Sequence, residues 1–415
     1  MRILFISEYY PPIIMGGGEI NLAQIAQELA RQKHEIIVLT SYFPTLATEE
    51  VVQGVTILRK LKTGMKTSTL GGNFQRRFFF PRSIRREAHK VITTQNPDII
   101  HFIGTSIIAA PEIKKYHQKL FATIESYPTL CPKGDRLYHG KKECIITCTA
   151  KEFVFCQQES QEIGKMKNKW YLKYNPLFLA YTYHYYTKLN TALSSCTLIS
   201  ISKYVQQLLL QQNHQSTIIP NILDVDAFAC VKKKNQERSA EKENKKPQIL
   251  YLGSLIQSKG PKILLEALKG IDCRCDLYGE GNLKSELQEY IEKNNLDAEI
   301  HPPVPYDRIP ELYAQTDIVV FPSIWPEPFG RIVIEAQAAG KIIIGSRVGA
   351  IGETVLPSGG ILVKPGNHPE LRQAIKEGIE KKIKFRDGIG GLQKYSSPNV
   401  TTKLISIYQE TMKHG

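Results

Sequence analysis

Apolar residues along the chain fall in short runs separated by stretches with helical spacing. Residues 3–6 (ILFI) form one run, Leu22, Ile25 and Leu29 mark one stripe of a helix over 19–32, and residues 35–40 (EIIVLT) form a second run. A third, IIHFIG at 99–104, follows the turn Asn96-Pro97-Asp98. Short apolar strands alternating with amphipathic helices predict parallel pairing with helices on both faces, the doubly wound α/β class. The alternation restarts at 247–252 (PQILYL) and continues through 275–279 (CDLYG), a helix over 283–294, 317–322 (DIVVFP), a helix over 332–339 and 341–345 (KIIIG). Two separate runs predict two sheets, and the turn-rich residues 220–224 (PNILD) between them read as the hinge.

Composition narrows the partners. The chain has 415 residues, enough for two or three domains with full cores. Lys and Arg number 54 against 40 Asp and Glu, a net +14 that favours an anionic partner: nucleic acid, an anionic membrane surface or a phosphate-bearing substrate. No apolar run approaches the roughly 20 residues of a membrane-spanning helix. The N-terminal run is too short for a signal-peptide core, so a cytoplasmic protein is expected. In such a chain, eight cysteines point to reduced thiols or metal ligands before disulfides.

The densest chemical cluster is Glu327-Pro-Phe-Gly-Arg-Ile-Val-Ile-Glu335. It follows an apolar strand and opens a helix near Phe329 or Gly330, which sets free N–H groups and a positive helix end at the carboxyl edge of a sheet. At about 1.5 Å per helical residue the two carboxylates stand about 10 Å apart, too far for a retaining glycosidase pair at about 5 Å. That separation suits the two ends of a nucleotide-sugar: one glutamate on a ribose, one on a sugar, amides on the diphosphate between. Lys259, in Gly253-Ser-Leu-Ile-Gln-Ser-Lys-Gly260, also follows a strand, where an ammonium can neutralise a diphosphate. Gly16-Gly17-Gly18 let main chain approach a ligand between the first strand and first helix. This loop lacks G-x-G-x-x-G spacing and no acid caps the second strand, which argues against a nicotinamide enzyme.

The Gly-rich Pro-Pro loop, the G-x-L-x-x-x-K-G string and above all E-P-F-G-x-x-x-x-E resemble the retaining family-four glycosyltransferases of the GT-B fold. The resemblance covers nearly the whole chain. It implies two Rossmann-like doubly wound domains facing across a cleft: an acceptor-side domain at 1–222 with a returning C-terminal helix at 396–415, and a nucleotide-sugar domain at 223–395. It implies that Glu335 binds ribose, that Glu327 contacts the transferred sugar, and that Lys259 holds the diphosphate. The amides around Phe329, Gly330 and Arg331, with Ser254, Gly17 and Gly18, complete the donor contacts, and His101 in Asp98-Ile-Ile-His faces the acceptor. The implied reaction needs no metal and retains anomeric configuration. Three positions depart from the family pattern. Ser254 stands where many members carry arginine, with Arg331 or Arg347 as candidate substitutes, Ile103 replaces a second histidine, and Glu125-Ser126-Tyr127-Pro128 replaces a His-Asp-Tyr-Trp string. The alternatives are a noncatalytic or partner-dependent membrane-associated subunit and a nucleotide-sugar isomerising enzyme on the same fold.

Four cysteines, Cys131, Cys144, Cys148 and Cys156, crowd a polar stretch that interrupts the α/β rhythm. One tetrahedral zinc, disulfides and free thiols all remain open for them; Cys196, Cys230, Cys273 and Cys275 read as core cysteines. Charge is concentrated too. Residues 59–90 carry ten basic residues against Glu87, a net +9 around Phe78-Phe79-Phe80, and residues 232–246 add +4 as a surface loop. A second basic, tyrosine-rich segment spans 165–188. Basic and aromatic residues together suit an anionic membrane surface, and no nucleic-acid recognition fold is visible. The expected partners are therefore a nucleoside-diphosphate-sugar and a glycan or lipid-linked acceptor at the inner membrane face.

Overall fold

Strands rich in Ile, Leu, Val and Phe build the two large sheets of this chain, and the central ones are buried on both faces. A computed structural model describes residues 1–63, 70–140, 142–160, 170–225, 227–228, 246–356, 359–380 and 389–413. The basic loop at 232–245, Cys230, Lys66 and residues 165–169 lie outside them. The chain divides into Met1–Ile222 with Ser397–Gly415, and Leu223–Ser396.

The first unit holds β1 (Arg2–Ile6), β2 (Glu35–Ser41), β3 (Glu49–Val52), β4 (Val55–Leu61), β5 (Ile99–Ile103), β6 (Leu120–Ile124), the hairpin β7 (Leu137–Tyr138) and β8 (Lys142–Glu143), β9 (Thr197–Ser200) and β10 (Ser216–Ile218). Its main sheet runs β10-β9-β6-β5-β1-β2-β4-β3, parallel throughout except for edge strand β3. Every residue of β5 and β6 is buried, as a sheet covered on both faces requires. Leu22, Ile25 and Leu29 of the Gly17–Arg31 helix pack into this core, as their spacing predicts. So do Val400, Leu404 and Tyr408 of the last helix, Ser397–Lys413.

The second unit holds β11 (Gln248–Leu252), β12 (Arg274–Tyr278), β13 (Ala298–His301), β14 (Ile318–Phe321), β15 (Ile342–Ser346) and β16 (Gly360–Val363). These pair in parallel in the order β13-β12-β11-β14-β15-β16. Numbered within the unit this is 3-2-1-4-5-6, the dinucleotide-fold order, whose reversal between first and fourth strands opens a crevice at their carboxyl ends. The first unit reverses in the same way between β1 and β5. Cys273 and Cys275 lie in the second core, as expected.

His101 departs from its expected place at an acceptor. It sits in mid-β5, only 2% exposed, with Nε2 2.7 Å from Thr123 Oγ1 and Nδ1 hydrogen-bonded to Tyr408. The apolar residues on either side of it in IIHFI carry it into the core, where it ties the last helix to the sheet. Burial lowers its pKa to about 3. The unfolded chain therefore binds the proton that the folded chain refuses between about pH 6.5 and 3. This contribution to stability is present above about pH 6.5 and is lost as pH falls through that window, at up to roughly 1.4 kcal/mol per unit. Urea unfolding at pH 7.5, 6 and 5 should show the wild type losing stability more steeply than His101→Gln; parallel profiles would refute a neutral buried imidazole.

Candidate active site

In the second unit, the loops after β11 and β14 carry the predicted donor residues to one place. Gly260 adopts φ 71°, and a Cβ there would lie 2.1 Å from the carbonyl oxygen of Pro322, so only glycine lets the loops touch. The Ser258 carbonyl then accepts the amides of Ile324 (2.9 Å) and Trp325 (3.0 Å). Lys259, in the turn Gln257–Lys259, is thereby held across from Glu327. Its ammonium pairs with the Glu327 carboxylate and lies 4.1 Å from the centre of the Trp325 ring. Glu327 is 7% exposed and also accepts from Ser323 Oγ at 3.3 Å. Ser254 is exposed at the start of the first loop.

Glu335 follows one and a half turns into the Arg331–Ala338 helix. Gly330, at φ 85°, starts that helix where a Cβ would come within 2.3 Å of Ile351 Cδ1, and Phe329 packs buried against Tyr395. Glu335 is 2% exposed and fully engaged: Arg331 Nε donates at 2.8 Å and Tyr306 Oη at 2.7 Å to one oxygen, and Tyr313 Oη at 3.3 Å to the other. Burial pushes its carboxyl up, against the guanidinium and hydroxyls that favour the anion. A ribose hydroxyl would have to share an oxygen with these donors or displace one. Arg331 is committed as well, also donating to Tyr306 at 2.7 Å, so it does not supply the cation missing at Ser254; Arg347, exposed after β15, remains. Tyr306 and Tyr313 were not visible as site residues. They lie about 20 to 30 positions before Glu335 in segments with no chemical motif, and only the fold brings them in.

In the first unit the corresponding strand-order reversal carries a different cluster. Glu8, just after β1, is buried and paired through both carboxylate oxygens with Arg76, and Thr105 after β5 donates to it at 3.2 Å. Gly17 and Gly18 begin the first helix; Gly18 lies against Glu125, to which Asn21 donates at 3.1 Å. Glu8 was readable as an acid at the end of the first strand. Arg76 was hidden in a basic run. That run is also less cationic than its composition: Arg59, Lys60, Arg76, Arg85, Arg86 and Lys90 all form ion pairs with acids, mostly from other segments. Cys131, Cys144, Cys148 and Cys156 converge on a separate cavity, and His101 belongs to neither cluster.

Each unit is a doubly wound parallel sheet with its loops at the carboxyl ends of the strands, the two-domain plan of the GT-B fold. Residues 15–227 match the family described as Glycosyltransferase Family 4 and residues 232–390 the family described as Glycosyl transferases group 1; the chain belongs to the glycosyltransferases that these two families describe. An uncharacterized glycosyltransferase of Methanocaldococcus jannaschii is 24% identical over 444 aligned positions, covering 100% of this chain and 99% of the relative. A second from that organism is 29% identical over 167 residues, 39% of this chain and 47% of the relative. Among solved structures, sucrose-phosphate synthase from Thermosynechococcus elongatus superposes with a TM-score of 0.76 at 17% identity, covering 100% of both chains. Anabaena HepE in complex with UDP and glucose does so with 0.67 at 17% identity over 99% of both chains. These likenesses establish the fold.

The Glu335 network predicts a stability cost separable from any effect on ligands. Glu335→Ala leaves the Arg331 guanidinium buried without its counter-ion and should cost about 3–5 kcal/mol in denaturant unfolding, whereas Tyr306→Phe, which removes one hydrogen bond, should cost about 1 kcal/mol. A loss below about 1 kcal/mol for the alanine variant would show that Arg331 finds another anion.

Proposed function

We propose that this protein moves a sugar from a nucleoside-diphosphate-sugar to a glycan or lipid-linked acceptor, with retention of anomeric configuration and without a metal ion. One observation carries this reading. Lys259 and Glu327, from the two strands that flank the reversal of the second sheet, meet beside the start of the Arg331–Ala338 helix. In that crevice an ammonium and the amides at the helix start can take a diphosphate, and the carboxylate can take sugar hydroxyls. The ion pair between them keeps both charges neutralised until a ligand takes them over. HepE, by its description, binds UDP and glucose, which supports a donor of this class.

The chemistry follows from those positions. The bond from the anomeric carbon to the diphosphate oxygen breaks, the acceptor oxygen bonds to the same face, and the acceptor's proton passes to the departing phosphate. Charge grows on the diphosphate as it leaves, and Lys259 with the helix amides stabilises it, the largest expected electrostatic contribution. Lys259→Ala should therefore lower turnover about a hundredfold or more, and Glu327→Gln should lower kcat with little change in the donor KM. Thermal shifts against UDP, GDP and ADP would identify the base. Wild-type turnover in both variants would reject the site.

The acceptor side draws support from exposed aromatics. Phe74, Phe78 and Phe79 stand exposed on the Leu70–Gln95 helix, and Tyr171, Tyr174 and Leu177 on the segment leading into the Pro176–Ala192 helix. Phe74 lies 5.5 Å from Tyr181 of the Pro176–Ala192 helix, so the two helices meet there, and Arg82 sits 3.6 Å over Phe78. With most nearby cations already paired, insertion of rings into a headgroup layer carries more of this reading than charge does. No helix among the described residues is long and apolar enough to cross a membrane, which fits peripheral attachment at the cytoplasmic face. In flotation assays the wild type should be recovered with liposomes, and Phe74→Ser/Phe78→Ser should lose most of that recovery; no recovery of the wild type, or equal recovery of wild type and variant, would sink the membrane acceptor.

A further inference from the structure

Between β6 and the Pro176–Ala192 helix the first unit carries an insertion with little core of its own, and its fold brings four distant cysteines to one point. The amides of Leu130 and Cys131 both donate to the Tyr127 carbonyl at 2.8 Å, and Gly134 to that of Cys131 at 2.9 Å, curling the Cys-Pro-Lys-Gly segment into a tight turn. The Cys144 amide donates to Arg136 at 2.8 Å and so returns the β7–β8 hairpin to that turn. Cys148 lies just before the Ala150–Glu159 helix, and Cys156 lies in its second turn. All four line one cavity of about 10 Å3, and none forms a disulfide. Cys131, Cys144 and Cys156 are each 8% exposed; Cys148 stands at the rim.

Main-chain amides and cationic side chains surround the sulfurs. The backbone amides of Arg136, Gly134 and Lys133 hydrogen-bond Cys131 Sγ. Cys156 Sγ accepts the His139 amide at 3.3 Å and has the buried Lys133 ammonium at 3.7 Å. Arg136, 2% exposed, lines the same cavity, and its Nε and Nη2 have no hydrogen-bond partner among the described residues. A buried guanidinium left short of partners calls for negative charge nearby. A tetrathiolate around a divalent ion supplies it, with a net charge of about −2.

We infer that Cys131, Cys144, Cys148 and Cys156 bind one structural zinc ion as a tetrathiolate, which pins the insertion to the end of β6. The cavity is small and four sulfurs stand on its wall, the donor set of a structural zinc. Another group, Asp276, Glu299 and His301, has its ligand atoms mutually within 4.8 Å, but Arg274 already pairs with both of its acids. Among the described residues no three of the four sulfurs lie mutually within that distance, so binding one ion requires them to close on it. The pinned turn starts six residues after Glu125, the residue that holds Asn21 beside Gly18.

The full chain, purified under reducing conditions and equilibrated with zinc before desalting, should carry about one zinc by elemental analysis. Loaded with cobalt(II), it should show thiolate-to-cobalt charge transfer and tetrahedral d–d bands. Cys148→Ser should keep its far-UV circular dichroism, weaken zinc at least about tenfold against a chelating dye and alter the cobalt spectrum, while Cys196→Ser changes neither. Zinc below about a tenth of an equivalent, iron with acid-labile sulfide instead, or an unaltered cobalt spectrum and zinc affinity in Cys148→Ser would each overturn the site.

Discussion

The reversal of strand order in the second sheet is the constraint from which the candidate site follows. Because β12 lies on one side of β11 and β14 on the other, the loops leaving β11 and β14 have no helix packed between them and can touch. The contact is made by main chain: the Ser258 carbonyl takes two amides of the opposite loop, and Gly260 leaves the space in which to do it. Lys259 and Glu327 meet because these backbones meet. A change at Gly260 would therefore reach the site even though glycine has no group to offer a ligand.

Both units put an acid and a cation at the equivalent point, and they differ in what else holds them. Glu8 is buried and pairs through both carboxylate oxygens with Arg76, with Thr105 as a third partner, so the pair behaves as structure. Lys259 meets Glu327 through a single ammonium, and its other neighbour is the face of Trp325. An ammonium held by one carboxylate and a ring gives up that arrangement for a diphosphate at less cost than a guanidinium in a two-pronged pair. Glu335, like Glu8, is held by several partners at once. Its three donors make it the element that fixes Arg331 and the helix start, and thereby the direction of the amides at Gly330 and Arg331.

The α/β class, the parallel pairing and the two sheets were legible in the alternation of apolar runs and helical stripes. The GT-B reading came from Gly-rich and Glu-rich strings at strand ends. The antiparallel edge strand β3, Glu-Glu-Val-Val, was not legible, since it is polar and exposed and earns its place only by pairing with β4. Motifs located Lys259 and Glu327 because both sit directly after an apolar run. Tyr306, Tyr313 and Arg76 lie where local sequence carries no such marker, and their roles arise from contacts 22 to 68 positions away. His101 shows the opposite failure: a motif suggested chemistry where the flanking isoleucines and phenylalanine already indicated a core position.

The cysteine-bearing insertion raises a physical question of its own. Its two strands are two residues each and its helix ten, too little to bury an independent core. Its buried anchors, Leu130, Leu137 and Phe153, are few, while Arg136 and Lys133 are charges brought in with them. Lys133 is met by Asp135 at 3.4 Å and by Ser160 at 2.6 Å, but hydrophobic burial alone would leave Arg136, two of whose nitrogens lack a partner among the described residues, a net cost. A segment of this size that keeps a cationic group inside is stable when a compact anionic centre meets it, and the four thiols on the cavity wall can form one around a single ion. The same closure would hold the turn after β6 in register with Glu125, linking the order of the insertion to the glycine loop at the start of the first helix.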